Sequence, residues 1–163
     1  MSIKDINDTQ TYFNTLSQQR SWPVGSAVTH RDRKDFFIRR DDYEFAGNHL
    51  IIDLFGAQIL DSLDHMEEAL REAVEAAGAT LLHIHLHHFT PNGGISGVAV
   101  LAESHISVHT WPERQFAAFD VFMCGDAQPA KTLPVLERFF TPTGVDVKEF
   151  IRGRMPLDTA VTP

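Results

Sequence analysis

The sequence predicts an α+β fold, a two-layer sandwich of a mainly antiparallel sheet with helices on one face. Three observations carry that prediction. Stretches of strand length, rich in Val, Ile, Leu and Phe, recur from residue 48 onward. Two segments, one in each half, carry helical periodicity. Strands and helices are mixed along the chain, and 163 residues suit one domain with a sizeable core.

Residues 1–46 are set apart as an N-terminal extension of unknown role, and 47–163 as the domain proper. The extension is polar and irregular, with Trp22-Pro23 and a charged patch from Arg31 to Asp42. A short helix fits Asp5 to Leu16. A packed or partly mobile arm is the reading preferred over a catalytic one.

The domain opens with a strand, Asn48 to Phe55, built on Leu50, Ile51, Ile52 and Leu54 and closed by Gly56. Asp61 is the expected N-cap of a helix running to Ala77. Leu63, Met66, Leu70, Val74 and Ala77 recur at three and four residues and make one apolar face. Gly78 stops the helix. Thr80 to Phe89 is the second strand, and Pro91-Asn92-Gly93-Gly94 a turn. Gly97 to Ala102 and Ile106 to Val108 continue as strand, broken near Ser104. Ala117 to Cys124 is the next strand. Pro129 to Phe140 is helical, with Leu133, Leu136 and Phe140 on one face, and Val145 to Ile151 is the last strand.

Composition excludes several classes. The chain is 43% hydrophobic and 22% charged, as a soluble globular protein is. A net charge of -8 argues against a nucleic-acid binder, which shows a basic face. No apolar run approaches a membrane span, and Met1 to Arg20 has no signal-peptide core. The single cysteine, Cys124, supports no disulfide framework and fits a reducing, cytoplasmic location.

The chemistry concentrates in one stretch. The apolar run Val98 to Ala102 delivers Glu103, Ser104, His105, Ser107, His109 and Glu113. Two acids, two hydroxyls and two imidazoles favour a reactive site over a polar loop. His83, His85, His87 and His88 invite a metal reading, because the first three share one strand face. Ligands strung along one strand suit a tetrahedral ion poorly, so no metal site is expected. Lys4, Lys34, Lys131 and Lys148 lack the context of a cofactor-binding lysine.

At these residues the chain resembles a known family. Ile95-Ser96-Gly97, Glu103-Ser104-His105, His109-Thr110-Trp111-Pro112-Glu113 and Asp120-Val121-Phe122-Met123-Cys124-Gly125 look like the bacterial S-adenosylmethionine decarboxylase proenzymes, which use a pyruvoyl group. Gly47-Asn48-His49-Leu50 and Arg152-Gly153-Arg154 are weaker matches. The likeness runs from about Gly47 to Arg154.

The resemblance implies self-cleavage between Glu103 and Ser104 into fragments 1–103 and 104–163. Ser104 would become a pyruvoyl group, a carbonyl able to take a substrate amine as a Schiff base and act as electron sink. His109 would be the base for processing, because imidazole titrates in the useful range. A regular strand places Ser104 and His109 on opposite faces, so this role calls for a bend or bulge between them. Ser96 would assist the acyl shift. Glu113 would bind the substrate ribose, a carboxylate being able to accept two hydrogen bonds. Cys124 would protonate the α-carbon after carbon dioxide leaves; by itself it reads as a small buried hydrophobe. Phe89 has two readings, as the aromatic that stacks on adenine or as a core or turn residue, because Asn92-Gly93-Gly94 is one residue longer than the usual turn. The family also implies the same fold and a homodimer with active sites near the subunit interface.

The resulting expectation is a decarboxylase of S-adenosylmethionine that makes the aminopropyl donor for spermidine. One rival keeps the pyruvoyl chemistry on arginine or ornithine. Another is a non-cleaving, non-catalytic partner subunit, against which intact Ser104, His109 and Cys124 argue. A histidine-rich metal-binding protein comes third.

Overall fold

A computed structural model describes residues 36–40 and 42–157. Its main sheet has six strands, and every pairing is antiparallel. In chain order these are β3 (Gly47–Phe55), β4 (Leu81–His88), β5 (Ile95–Leu101), β6 (Ser104–Trp111), β7 (Phe116–Met123) and β8 (Gly144–Arg152). They lie in the order β4-β5-β6-β7-β3-β8. Two helices, α1 (Leu63–Ala77) and α2 (Thr132–Phe140), cover one face. The expected two-layer α+β sandwich is therefore the observed fold.

Alternation along the strands explains the layering. In β6 the buried residues are Ser104, Ile106, Val108 and Thr110, while His105, Ser107, His109 and Trp111 point to the other side. In β7 the buried set is Ala117, Phe119, Val121 and Met123. Met66, Ala69, Leu70, Ala73, Val74 and Ala77 of α1 close over them. Of the apolar spacing read from the sequence, Met66, Leu70, Val74 and Ala77 make this face, whereas Leu63 in the first turn is exposed. Leu70 is fully buried, so Leu70→Ala removes contacts on every side.

The second face carries no helix among the described residues. Strand pairing arranges it in rows. His49, Phe122, His105 and Val100 form one row; Ile51, Asp120, Ser107 and Val98 the next; Asp53, Ala118, His109 and Ser96 the third. This open face bears His105, Ser107 and His109 of the motif, while Ser104 and Thr110 lie on the buried face and Glu103 and Glu113 in turns.

Several local expectations change. The N-cap of α1 is Ser62, whose Oγ accepts from the His65 N–H at 3.4 Å; Asp61 lies one residue outside. Gly78 ends the helix in a left-handed conformation, as expected. The segment Pro129–Phe140 begins as a 3-10 turn over Pro129–Lys131 before α2. Part of the stretch expected to be irregular is ordered as strand: β1 (Ile38–Arg40) and β2 (Tyr43–Phe45) pair with each other, and β2 pairs with β9 (Met155–Pro156). The helix expected at Asp5 to Leu16 lies outside the described residues. No helix among the described residues is long and apolar enough to cross a membrane.

Candidate active site

β5 and β6 are not one broken strand. They form a hairpin, with Leu101 paired to Ser104 and only Ala102 and Glu103 between. The Ala102 N–H donates to the Thr80 carbonyl at 2.9 Å and ties the turn to the start of β4. Glu103 takes φ +66°, a left-handed conformation. For a residue other than glycine this costs roughly 1–3 kcal/mol. The strained residue is the one whose carbonyl is bonded to Ser104.

Cys124 arrives at the same point from β7. The pairing that sets Phe122 opposite His105 brings the next residues of β7 beside the hairpin turn. The Cys124 N–H donates to Ser104 Oγ at 3.2 Å. The Cys124 thiol donates to the Glu103 carbonyl oxygen at 2.8 Å, and its Sγ lies 3.5 Å from Ser104 Oγ. A hydroxyl, a thiol and the carbonyl of a strained peptide thus meet in one place.

Ser96, His109, Glu113 and Phe89 assemble elsewhere. Ser96 and His109 are cross-strand partners, and Ser96 Oγ is 2.7 Å from His109 Nδ1. The two residues line a cleft of about 160 Å³ together with Phe89, Trp111 and Glu113. Buried Thr110 anchors this end of the hairpin. Its Oγ1 accepts from the Ile95 N–H and donates to the Leu60 carbonyl, both at 2.8 Å. Gly94 allows the close approach there, because a Cβ would sit 2.7 Å from the Thr110 carbonyl.

The expected bend between Ser104 and His109 is absent. β6 pairs without a register shift on both sides. Ser104 faces the helix layer and His109 the open face, roughly 16 Å apart along the strand at ~3.3 Å per residue. Within one chain the sequence-derived residues therefore fall into two groups, Glu103–Ser104–Cys124 at one end of the hairpin and Phe89–Ser96–His109–Glu113 at the other.

A third cluster lies on the open face beside the first. His49 Nδ1 is 3.0 Å from Arg152 Nη1, and its buried Nε2 has no hydrogen-bond partner. Asp120 Oδ1 is 3.5 Å from that Nε2, while Ser107 Oγ donates to Asp120 Oδ2 at 3.3 Å. His105 packs against His49 and Phe122. Burial, then repulsion from His49, holds the His105 imidazole below its usual range, with Asp120 pulling the other way.

Sequence reasoning gave no role to Trp111, which lines the cleft, and did not join His49 and Asp120 to His105 and Ser107. Trp111 was legible in principle, since it lies two residues after His109 and so shares its face. The His49–Asp120 contact had no sequence signal, because it joins two strands far apart in the chain. His83, His85 and His87 are exposed on the edge strand. Among the described residues no three His, Cys, Asp or Glu side chains come together as a metal site.

Comparison with known proteins adds four findings. A family model described as S-adenosylmethionine decarboxylase matches residues 48–153. A protein of Thermomicrobium roseum named S-adenosylmethionine decarboxylase proenzyme is 46% identical over 108 residues, covering 66% of this chain and 93% of that one. One of the same name from Methanococcus maripaludis is 46% identical over 115 residues, covering 69% and 93%. The crystal structure of the adenosylmethionine decarboxylase from Aquifex aeolicus superposes with a TM-score of 0.59 at 35% identity, covering 66% of this chain and 90% of that one.

Proposed function

This chain belongs to the S-adenosylmethionine decarboxylase family, and from that membership we propose that it is a proenzyme that cleaves itself at Glu103–Ser104 and then decarboxylates S-adenosylmethionine. The observation that carries the reading is the Cys124 thiol on the Glu103 carbonyl oxygen, 2.8 Å away, with Ser104 Oγ beside it.

Ser104 Oγ attacks the carbonyl carbon of Glu103. The amide C–N bond breaks as the ester C–O bond forms, and the nitrogen of Ser104 becomes a free amine. Negative charge gathers on the Glu103 oxygen during this shift. The Cys124 thiol already points at that oxygen, so its stabilisation needs no rearrangement. The left-handed Glu103 raises the energy of the starting peptide and favours its loss. A base then removes the α-proton of Ser104, and the ester leaves as the carboxylate of Glu103. Water hydrolyses the remaining enamine through its imine tautomer, releasing ammonia and leaving a pyruvoyl group on fragment 104–163. When present, that group supplies the electron sink for decarboxylation. The residues around Ser104 fit it: Ser104 is nearly buried, and Cys124 Sγ keeps an exchangeable proton next to it.

His109 is the proposed base, and the geometry supports its reaching Ser104 from a second copy of the chain. The Ser96–His109 pair lies at the opposite end of the hairpin from Ser104. Two open faces stacked about a two-fold axis, strands running oppositely, would carry each His109 toward the Glu103–Ser104 turn at the end of the partner's hairpin, where the Ser104 backbone is reached past the sheet end. Val98, Ala118, Phe122 and Ile51 give that face an apolar centre. The cleft holding Phe89, Trp111 and Glu113 then receives the adenosine part of the substrate, with the rings stacking on adenine and the Glu113 carboxylate accepting from the ribose hydroxyls. The product is the aminopropyl donor for spermidine synthesis, and the reaction class is that of a carboxy-lyase.

The test is intact-mass analysis followed by carbon dioxide release from S-adenosylmethionine, arginine and ornithine. Two fragments that break at Glu103–Ser104 and release carbon dioxide from S-adenosylmethionine alone are expected. A fully intact, active chain would overturn the cleavage.

A further inference from the structure

The extension touches the cleavage site. The Gly125 N–H donates to the Phe36 carbonyl at 2.9 Å. Gly125 directly follows Cys124, whose N–H and thiol hold Ser104 and Glu103. The Phe36 ring stands over the same glycine, since a Cβ built there would lie 3.4 Å from Phe36 Cδ1. Both residues are left-handed, Phe36 at φ +51° and Gly125 at φ +61°.

This contact is anchored. Phe36 leads into the β1–β2 hairpin, in which Ile38 pairs with Phe45 and Arg40 with Tyr43. Phe45 is fully buried, β2 is tied to β9, and the Arg154 guanidinium lies 4.0 Å from the centre of the Tyr43 ring. The Ala46 N–H donates to the Arg152 carbonyl at 2.8 Å and joins the small sheet to β8. The family match begins at residue 48, so Phe36 and its supports β1 and β2 lie outside it. The Thermomicrobium relative is matched over 93% of its own length by only 66% of this chain, which leaves it little room for such an extension.

We propose that Phe36 is a positioning residue for the cleavage, in that its main-chain carbonyl, held by the β1–β2–β9 sheet, fixes the Cys124–Gly125 peptide and so aims the Cys124 thiol at the Glu103 carbonyl. The proposal rests on the roles given above to Ser104 and Cys124. The acceptor on the Gly125 N–H removes the freedom of the peptide that follows Cys124. A thiol that must meet one oxygen at hydrogen-bond distance is sensitive to that freedom, because small misplacements of reacting groups cost large factors in rate.

Two full-length variants separate the backbone from the ring. Phe36→Asn and Phe36→Val both remove the aromatic contact. Asparagine tolerates the left-handed conformation, and β-branched valine does not. Cleavage is followed by intact mass across pH 6–9 (a range of about three units), and the same samples are alkylated with iodoacetamide, which reports on the single cysteine. Phe36→Asn should cleave within about two-fold of the unaltered chain, and Phe36→Val roughly ten-fold more slowly, the scale of a left-handed penalty. Alkylation of Cys124 should be faster in Phe36→Val than in Phe36→Asn, and should stay faster when the two are compared at equal distance below their unfolding midpoints, which separates release of the thiol from a general loss of stability. Gly125→Ala, which strains the same peptide because its φ is positive, should behave like Phe36→Val and covers the case in which that variant fails to fold. Equal cleavage and alkylation in Phe36→Asn and Phe36→Val, whether fast or slow, would overturn the proposal. If the unaltered chain never cleaves, the functional reading fails, and the alkylation comparison still decides the role of Phe36.

Discussion

Replacing Cys124 by alanine probes both halves of the proposed reaction. The thiol donates to the Glu103 carbonyl at 2.8 Å, so its loss removes one stabiliser of the oxyanion formed when Ser104 attacks. Removing a strong backbone or amide donor from such a site costs about 10²–10³ in rate. A thiol is a weaker donor, and the Cys124 N–H to Ser104 Oγ survives the substitution, so roughly 10-fold slower cleavage is expected. The family resemblance assigns Cys124 only to protonation of the substrate; its place on the Glu103 carbonyl motivates the proposed part in cleavage as well. Turnover should suffer more, by roughly 10²–10⁴, if Cys124 is the group that returns a proton to the substrate, as proposed. Protonation would then go astray onto the cofactor and the enzyme would inactivate as it works. Cys124 is only partly buried, so the fold should lose no more than about 1–2 kcal/mol. The assay is a time course of intact mass on freshly made chain, then carbon dioxide release by the processed fraction. Cleavage and turnover both at the unaltered rate would refute the reasoning.

Three further outcomes follow from the geometry. Ser104→Ala and His109→Ala chains, each inactive alone, should regain cleavage of the His109→Ala chain when mixed as unfolded proteins and refolded together, if one chain supplies His109 to the other's Ser104 as proposed; mass spectra showing no cleavage would place the base within one chain. His105 is held below its usual pKa, so the unfolded chain takes up that proton before the folded one does. Its contribution to stability is complete above the ordinary value of 6.5 and is lost as pH falls through the lower folded value, so His105→Gln should flatten part of the decline in Tm on acidification, measured by circular dichroism between about pH 7 and 5. Leu70→Ala, which empties a fully buried position between α1 and the sheet, should cost about 2–5 kcal/mol in denaturant unfolding.

Much of the fold was legible because it rests on local periodicity. The spacing of Leu63, Met66, Leu70, Val74 and Ala77 identified α1, and alternation in β6 and β7 assigned each side chain to a face. Errors fell at boundaries. Ser62 and not Asp61 caps α1, since either residue type caps equally well and only the path of the chain selects between them. The break near Ser104 is a hairpin, because a two-residue turn leaves too little sequence to mark it when neither residue is glycine or asparagine.

The sequence by itself determined which groups are available: a hydroxyl at Ser104, imidazoles at His105 and His109, one thiol at Cys124, and an order and spacing that match the family. It also determined that Ser104 and His109 face opposite sides, as odd separation along a strand requires. Tertiary structure alone decided which of these groups meet. Cys124 reaches Glu103 across 21 residues because β7 pairs with β6 in one register, and Phe36 reaches Gly125 because a small sheet holds the extension there. Contacts of that kind depend on how distant strands align, and alignment is set by the burial of whole faces, to which no single stretch of sequence bears witness.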